Sequence, residues 1–254
     1  MEGISVIIPV HNRLEMTKGC VECIGEKNPG YLYEIIIIDN GSTDETGDFF
    51  SRATTVVYHR NESNLGISEA LNQGAHLARH DIFCFLHNDV FIHEKDWMKK
   101  VSNFFSQNTM KGVVGFYGAK CIRKDGTFRG KTIIHAKKDS PIIKKHVEQV
   151  AVVDGLCMCV KRKAFEDAGG FDDRFTIHFY DKDISMKCLK AGYKNYVLNI
   201  PFEHLCGSTR KTIKGENSVR EEAKRLFMHK WKNVLPADVS TVKERLSYMV
   251  KKIL

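Results

Sequence analysis

The chain has 254 residues, 43% of them hydrophobic, which is enough for one large α/β domain or two small ones around a sizeable core. It has no run of about 18 uncharged apolar residues and begins with a strand-like segment, which argues against a transmembrane helix and a secretory signal and predicts a cytoplasmic protein. The formal net charge of +8 predicts an anionic partner, which could be nucleic acid, a membrane surface or a phosphorylated small molecule.

The first half of the chain alternates predicted strands and helices. Four apolar runs are predicted as strands, namely Ile4–Ile8, Glu34–Ile38, Thr55–Tyr58 and Ile82–Leu86. Apolar residues at helical spacing separate them, with Asn12 as a predicted N-cap and Ser42 with Glu45 as a predicted capping box. Crossovers of helical length predict a parallel, doubly wound sheet. Polar residues then meet along one edge of this sheet, namely His11, Asn12, Asp39, Asn40, Asn88 and Asp89.

The second half of the chain is less regular. Basic residues crowd together in the segment 120–145, which predicts either a solvated surface or an arm that contacts an anionic acceptor. Val150–Val153 is predicted as another buried strand, ending on Asp154 and Gly155, and Asn195–Ile200 as the last strand. The remaining residues are predicted to form two amphipathic helices.

The last of these helices, predicted around Val242–Ile253, carries basic residues opposite an apolar face. We expect the apolar face to pack on the rest of the protein. The alternative is an anionic membrane surface, on which a basic amphipathic helix can lie.

The carboxylates at the strand ends suggest metal-assisted chemistry on phosphates. The chain has no glycine-rich loop of the dinucleotide-binding or P-loop type, which argues against both of those enzyme classes. A divalent cation held by one or two carboxylates commonly bridges the phosphates of a substrate. Several acids on one edge also allow one of them to hold metal while another takes a proton.

Seven segments, in order along about the first 210 residues, resemble the family 2 glycosyltransferases of the GT-A fold. They are Ile4–Arg13, Ile37–Asp44, Asn64–Gly66 with Asn72–Gly74, Leu86–Asp89, Gly169–Asp172, Tyr180–Asp183 and His204–Ser208. The resemblance implies an α/β fold with a mostly parallel central sheet flanked by helices. It also implies a nucleotide-sugar-binding half at 1–115, an acceptor-binding half at 116–210 and C-terminal amphipathic helices at 211–254.

The activity that the resemblance implies is inverting transfer of a sugar from a nucleotide-diphosphate donor, preferably a UDP-sugar, to an acceptor hydroxyl, assisted by Mg²⁺ or Mn²⁺. On the donor side, Asp39 would recognise the uracil or ribose. The full set of implied nucleotide-binding residues is Pro9, His11, Asp39, Asn64, Gly66 and Asn88. The implied metal ligands are Asp89, the last acid of a DXD position, and His204. His87 stands where the first acid of that position is expected.

On the acceptor side, the resemblance implies Asp181 as the general base that deprotonates the acceptor hydroxyl. Tyr180 replaces the acid that commonly precedes this base. Asp183 is the alternative base and is otherwise expected to contact substrate or to favour the helix N-terminus. Asp154 and Gly155 are expected to contact the donor sugar and the acceptor.

The expected acceptor is a growing polysaccharide or a lipid-linked oligosaccharide, with peripheral contact at the inner membrane face. Nucleic acid is not expected as a partner, because the basic segment lacks the interleaved aromatic residues on which bases stack. A non-catalytic nucleotide-sugar-binding protein is the alternative function, and it is suggested by the replacements at His87 and Tyr180.

Overall fold

A computed structural model describes residues 2–133, 146–205 and 215–250 of the chain. Parts of three predicted features therefore lie outside the described residues, namely much of the basic segment, the turn after Leu205 and the end of the last helix. The strands are β1 (Ile4–Val10), β2 (Tyr33–Asp39), β3 (Val57–Arg60), β4 (Ile82–Leu86), β5 (Val90–Ile92), β6 (Lys111–Gly115), β7 (Tyr117–Ile122), β8 (Phe128–Ile133), β9 (Val147–Val150), β10 (Val152–Val153), β11 (Cys157–Lys161), β12 (Lys194–Leu198), β13 (Phe202–His204) and β14 (Ala237–Asp238). The helices are α1 (Leu14–Lys27), α2 (Thr46–Phe50), α3 (Ile67–Leu77), α4 (Trp97–Ser106), α5 (Arg162–Asp167), α6 (Tyr180–Lys190), α7 (Glu216–Trp231) and α8 (Val242–Val250).

An eight-stranded sheet in the order β3-β2-β1-β4-β11-β6-β12-β9 forms the centre of the fold. Its first four strands are parallel, as the sequence predicts, and β12 is parallel to β6. The strand β11 runs antiparallel to both of its neighbours, and β9 runs antiparallel to β12 at the edge. A smaller sheet contains β10, β7, β14 and β8, and β13 pairs with β5. The prediction of an α/β fold with a mostly parallel central sheet is confirmed.

The central strands are apolar on both faces because each face packs into its own core. On β1, Ile7 faces one core while Val6 and Ile8 face the other. The side chains of β4 alternate in the same way. Phe83 and Phe85 face the same core as Ile7, and the other side chains of β4 face the second core. A strand covered on both sides has no polar face, which is why β1, β2 and β4 were identifiable as continuous apolar runs.

The two predicted helix caps do not form. The helix α1 begins after Arg13, which adopts a left-handed backbone conformation, and α2 begins only at Thr46. The Asn12 carboxamide oxygen instead accepts hydrogen bonds from the backbone N–H groups of Thr43 (2.7 Å) and Asp44 (3.3 Å). The Ser42 hydroxyl accepts one from the Asn12 N–H at 2.7 Å. Both side chains therefore join the loop after β1 to the loop after β2 at the edge where the site lies.

The predicted strand Val150–Val153 is divided between the two sheets. β9 ends at Val150 and pairs with β12, whereas Val152 and Val153 pair with β7 in the smaller sheet. The chain crosses between the sheets at Ala151, whose N–H donates to the Ala119 carbonyl at 2.9 Å. Asp154 follows directly on the smaller sheet, next to the start of α6.

Asp183 anchors the C-terminal helix α7 to α6. Its carboxylate is completely buried and accepts hydrogen bonds from Lys230 Nζ and Trp231 Nε1, each at 2.8 Å. Lys230 also contacts Asp172 at 2.7 Å. These contacts occupy the carboxylate and support a structural role for it, so the substrate contact expected for Asp183 would require them to open and stays a prediction.

Replacing Asp183 with asparagine is expected to lower the free energy of unfolding by about 3 kcal/mol, because it removes one of the two carboxylates that compensate the largely buried Lys230. Urea unfolding followed by circular dichroism measures the loss. The matched control is Asp173→Asn at an exposed acid in the preceding turn. Equal stability of the two variants would contradict the structural role.

The helix α8 is held to the body of the protein by polar contacts at its start. Glu244 forms an ion pair with Lys120, and Arg245 donates to the Ser240 carbonyl at 3.1 Å. Two of its apolar residues, Val242 and Leu246, remain 74% and 57% exposed. The packing predicted for its apolar face therefore does not hold at these two residues. Within the described ranges, no helix is long and apolar enough to cross a membrane.

Candidate active site

The loop after β4 carries the centre of the site. The chain leaves β4 at Leu86 and turns through His87, Asn88 and Asp89 into β5. The strand β13 pairs antiparallel with β5 and places His204 opposite Val90. The Leu205 N–H donates to the Asp89 carbonyl at 2.9 Å, which fixes the end of β13 against this loop. Two segments more than a hundred residues apart therefore meet at Asp89, as the sequence led us to expect.

His87, Asp89 and His204 form a compact cluster of metal-ligating groups. Asp89 Oδ1 lies 3.2 Å from His204 Nε2 and 4.0 Å from His87 Nδ1, and the three donor atoms lie within 4.8 Å of one another. Metal bonds of about 2.0–2.2 Å put two ligands roughly 3 Å apart at a right angle and roughly 4.3 Å apart across the ion. The three atoms therefore suit ligation of one cation.

The environment of Asp89 favours its ionised form. Burial acts to raise the pKa of this carboxyl, but the neighbouring imidazoles of His204 and His87 outweigh burial, and the pKa lies below its ordinary value. Among the described residues, Asp89 Oδ1 accepts no hydrogen bond of good geometry although it is buried. A buried carboxylate oxygen without such a partner is costly, and a cation would satisfy it.

His87 is a functional candidate that the sequence analysis did not assign to the metal. It was interpreted only as the loss of an acid, yet its Nδ1 faces Asp89 and its Nε2 lies 2.7 Å from Tyr180 Oη. The usable signal was the residue type itself, because neutral imidazole is a common metal ligand. The partner of His87 could not be read from the sequence, since Tyr180 is 93 residues away.

Asp181 lies in the first turn of α6, beside Asp154. The helix is preceded by Phe179, which has a left-handed backbone (φ 68°) that is rare for a bulky residue. Asp181 is half-buried, and its Oδ2 accepts a hydrogen bond from the Gly155 N–H at 3.2 Å. Burial, together with the charges of Asp154 and Asp181, raises the pKa of Tyr117 to about 12. The residues expected on the acceptor side are therefore gathered around the start of α6.

Gly155 has a spacing role in this arrangement. It is buried, and a Cβ atom at this position would lie 2.1 Å from Tyr180 Oη. Any other residue would displace the tyrosine hydroxyl from His87. The backbone N–H of Gly155 also donates a hydrogen bond to Asp181. Gly155 therefore orients both Tyr180 and Asp181, and its contact with substrate stays a prediction.

Asp39, at the end of β2, is completely buried. Its Oδ1 accepts the Ser42 N–H at 2.8 Å, and its Oδ2 accepts hydrogen bonds from Tyr58 Oη at 2.6 Å and Arg60 Nη1 at 2.9 Å. Because the carboxylate is buried, the direct contact with uracil or ribose expected for Asp39 would require neighbouring groups to move, and it stays a prediction. The side chain of Arg60 is 45% exposed. Asp39 therefore orients a guanidinium cation at the edge where the nucleotide is expected, and the sequence analysis missed Arg60.

Pro9 and His11, expected to line the nucleotide pocket, lie half-buried at the end of β1 and just after it. His11 Nδ1 is 3.1 Å from the Asn40 carbonyl oxygen, which joins this loop to the end of β2. Asn88 Nδ2 donates to Thr17 Oγ1 at 2.9 Å, so the Asn88 side chain faces α1.

Asn64 and Gly66 build the turn before α3. The Asn64 carboxamide oxygen accepts from Asn40 Nδ2 (3.1 Å) and from the Gly66 N–H (2.9 Å). Gly66 has φ 87°, and a Cβ atom there would come within 3.0 Å of Thr176. Both residues therefore shape the edge of the expected nucleotide pocket, and their contact with a nucleotide stays a prediction.

Comparison with known proteins supports the interpretation of this edge. The sequence model described as "Glycosyl transferase family 2" matches residues 5–169. The chain is 25% identical over 221 residues to an uncharacterized protein of Sinorhizobium fredii, with 77% of this chain and 24% of that protein covered. It is 24% identical over 210 residues to the O-antigen chain rhamnosyltransferase RfbN of Salmonella typhimurium, with 75% and 62% covered.

Two solved structures share the fold. A mannosyltransferase from Pyrobaculum calidifontis, in complex with GDP-Man and Mn²⁺, superposes with a TM-score of 0.56 at 17% identity and covers 76% of this chain. GalNAc-T7 with UDP, GalNAc and Mn²⁺ superposes with a TM-score of 0.65 at 16% identity and covers 80%. The chain spans 53% and 44% of these two proteins. The fold is thus the GT-A fold of glycosyltransferases, and because the family match extends over most of its length, the chain belongs to glycosyl transferase family 2.

Proposed function

We propose that this chain is an inverting glycosyltransferase that moves a sugar from a nucleotide-diphosphate donor to an acceptor hydroxyl. The observation that carries the proposal is one continuous arrangement along the sheet edge. The cluster of His87, Asp89 and His204 contacts Tyr180 through a 2.7 Å hydrogen bond, and the next residue, Asp181, is the proposed base. The proposed cation site and the proposed general base are therefore both adjacent to Tyr180.

The proposed cation ligands are His87, Asp89 and His204. Two imidazoles and one carboxylate suit Mn²⁺ better than Mg²⁺, because Mg²⁺ prefers oxygen ligands almost exclusively. Both related structures described above contain Mn²⁺. When bound, such a cation supplies charge neutralisation for the leaving diphosphate. The sequence analysis left Mg²⁺ and Mn²⁺ open, and the structure adds His87 as a reason to propose Mn²⁺.

The proposed donor is a nucleotide-diphospho-sugar, with a UDP-sugar favoured. The Asp39-oriented guanidinium of Arg60 offers a cation for an anionic donor at the edge formed by the loops after β1 and β2. Asp181 would accept the proton of the acceptor hydroxyl as it attacks the anomeric carbon. A single displacement on the face opposite the diphosphate inverts the anomeric configuration.

The proposed acceptor is a growing cell-surface polysaccharide or a lipid-linked oligosaccharide, reached at the inner face of the membrane. Two observations support it: the net charge of +8 and the likeness to a protein named for O-antigen chain synthesis. Peripheral membrane contact through α8 belongs to the same proposal, because its exposed Val242 and Leu246 lie beside Lys243 and Arg245.

Thermal unfolding with UDP-, GDP- and dTDP-sugars, each with and without Mn²⁺, is the direct test of the donor. We expect one nucleotide class to raise the melting temperature, and to do so more strongly with Mn²⁺. Release of nucleoside diphosphate then separates an enzyme from the alternative, a non-catalytic binder. Donor binding without metal-dependent release, in both the unaltered chain and Asp181→Asn, would favour the binder.

A further inference from the structure

Two positions at which this chain departs from the family 2 pattern contact each other. His87 replaces an acid of the DXD position, and Tyr180 replaces the acid before the proposed base. His87 Nε2 and Tyr180 Oη are 2.7 Å apart, and both side chains are largely enclosed. Two carboxylates at these positions would repel each other at such a separation, whereas an imidazole and a phenol form a hydrogen bond.

The geometry distinguishes the two nitrogens of His87. Nε2 faces Tyr180, while Nδ1 is the nitrogen 4.0 Å from Asp89 Oδ1. A nitrogen that binds a metal must present a lone pair, so a neutral His87 that ligates through Nδ1 carries its proton on Nε2. That N–H then donates to Tyr180 Oη. Such a hydrogen bond to the far nitrogen is the usual way in which a metal-ligating histidine is oriented.

The position of the Tyr180 hydroxyl is itself fixed from three sides. The ring is 4% exposed and packs against Phe171, with 5.9 Å between ring centroids. The left-handed Phe179 sets the start of α6, and the missing Cβ of Gly155 leaves the space that the hydroxyl occupies. The tyrosine therefore presents its oxygen to His87 with little freedom to move.

We propose that Tyr180 is a positioning residue for the metal site, which holds His87 in the orientation and tautomer that let Nδ1 bind the cation. Because Tyr180 precedes Asp181 in the same helical turn, it also fixes the distance between the cation and the base. This inference rests on the metal-assisted function proposed above.

Mn²⁺ binding to the full chain, measured from the electron paramagnetic resonance signal of free Mn²⁺, is the test. Tyr180→Phe is expected to raise the dissociation constant about 10- to 100-fold. The matched control is Tyr193→Phe, which removes the hydroxyl of another buried tyrosine. That hydroxyl lies away from the cluster and donates to Asp167 at 2.5 Å. We expect the control to bind Mn²⁺ as the unaltered chain does, with both variants folded by circular dichroism.

A double-mutant cycle shows whether Tyr180 acts through His87. If it does, Tyr180→Phe has no further effect on Mn²⁺ affinity once His87→Gln is present. Gly155→Ala should weaken Mn²⁺ binding in the same direction as Tyr180→Phe, because its Cβ displaces the hydroxyl. A general loss of stability would instead weaken binding additively in both backgrounds, and that result would overturn the proposal.

The failure of this inference can be told apart from failure of the proposed function. Mn²⁺ affinity that is equal in the unaltered chain and in Asp89→Asn would overturn the metal site, and this inference with it. Affinity that depends on Asp89 but is unchanged in Tyr180→Phe would overturn only the role given to Tyr180.

Discussion

Asp181→Asn is expected to lower kcat for sugar transfer by about 10²–10⁴-fold, because an amide cannot accept the proton that the acceptor hydroxyl must lose. KM for the donor should change little, since Asp181 is proposed to act on the acceptor hydroxyl rather than on the donor. The fold should survive, because the asparagine oxygen can still accept a hydrogen bond from the Gly155 N–H. Steady-state kinetics with the donor identified by thermal unfolding give kcat and KM separately.

Asp183→Asn is the comparison that assigns the base, because the sequence left Asp181 and Asp183 as alternatives. Asp183 is enclosed by Lys230 and Trp231 and should affect stability rather than chemistry. Its kcat per folded molecule should therefore stay within a few fold of the unaltered value. A large loss of kcat in Asp183→Asn together with normal turnover in Asp181→Asn would reverse the assignment.

The parts of the fold that the sequence predicted are those determined by short-range patterns. The strands β1, β2 and β4 were found because a strand buried on both faces is a continuous apolar run, and their polar ends then had to meet at one edge. The predicted caps at Asn12 and Ser42 were wrong for the opposite reason. Each side chain has a stronger partner about thirty residues away, in the other loop, which no local pattern reveals.

The residues of the candidate site likewise separate into those that the sequence identified and those that it could not. Asp89 and His204 were identified by their resemblance to a family motif, and the structure brings them to 3.2 Å. The burial of Asp183 could not be predicted, because its partners lie on a helix about fifty residues further along. For His87 the sequence showed only that an acid was missing, whereas the structure shows the imidazole between a carboxylate and a phenol.

Asp39 has internal partners that the sequence analysis did not anticipate, and its contact with the uracil or ribose stays a prediction. Its carboxylate accepts hydrogen bonds from Tyr58 and Arg60, both of which lie on β3. Burial and the hydrogen bond to Asp39 raise the pKa of Tyr58 to about 12, so the phenol stays a hydrogen-bond donor at neutral pH. A preorganised Arg60 loses less entropy on binding a diphosphate than a free side chain would.

Asp89→Asn is expected to abolish the response of the enzyme to Mn²⁺ and to lower kcat/KM by about 10³-fold, since the cation contributes several kcal/mol of charge stabilisation at the diphosphate. Asp89 supplies the one carboxylate of the cluster, and without that charge the two imidazoles bind a dication far more weakly. Activity measured over a Mn²⁺ titration gives both the maximal rate and the concentration for half-activation.

Glu203→Gln is the matched control, because Glu203 precedes His204 on β13 but is 53% exposed and contacts His93 rather than the cluster. Its Mn²⁺ titration should superpose on that of the unaltered chain. If Asp89→Asn and Glu203→Gln show the same kcat/KM and the same Mn²⁺ dependence, the cluster is not the metal site. If Asp89→Asn alone loses the response while still folding, the sheet edge after β4 is where the diphosphate is neutralised.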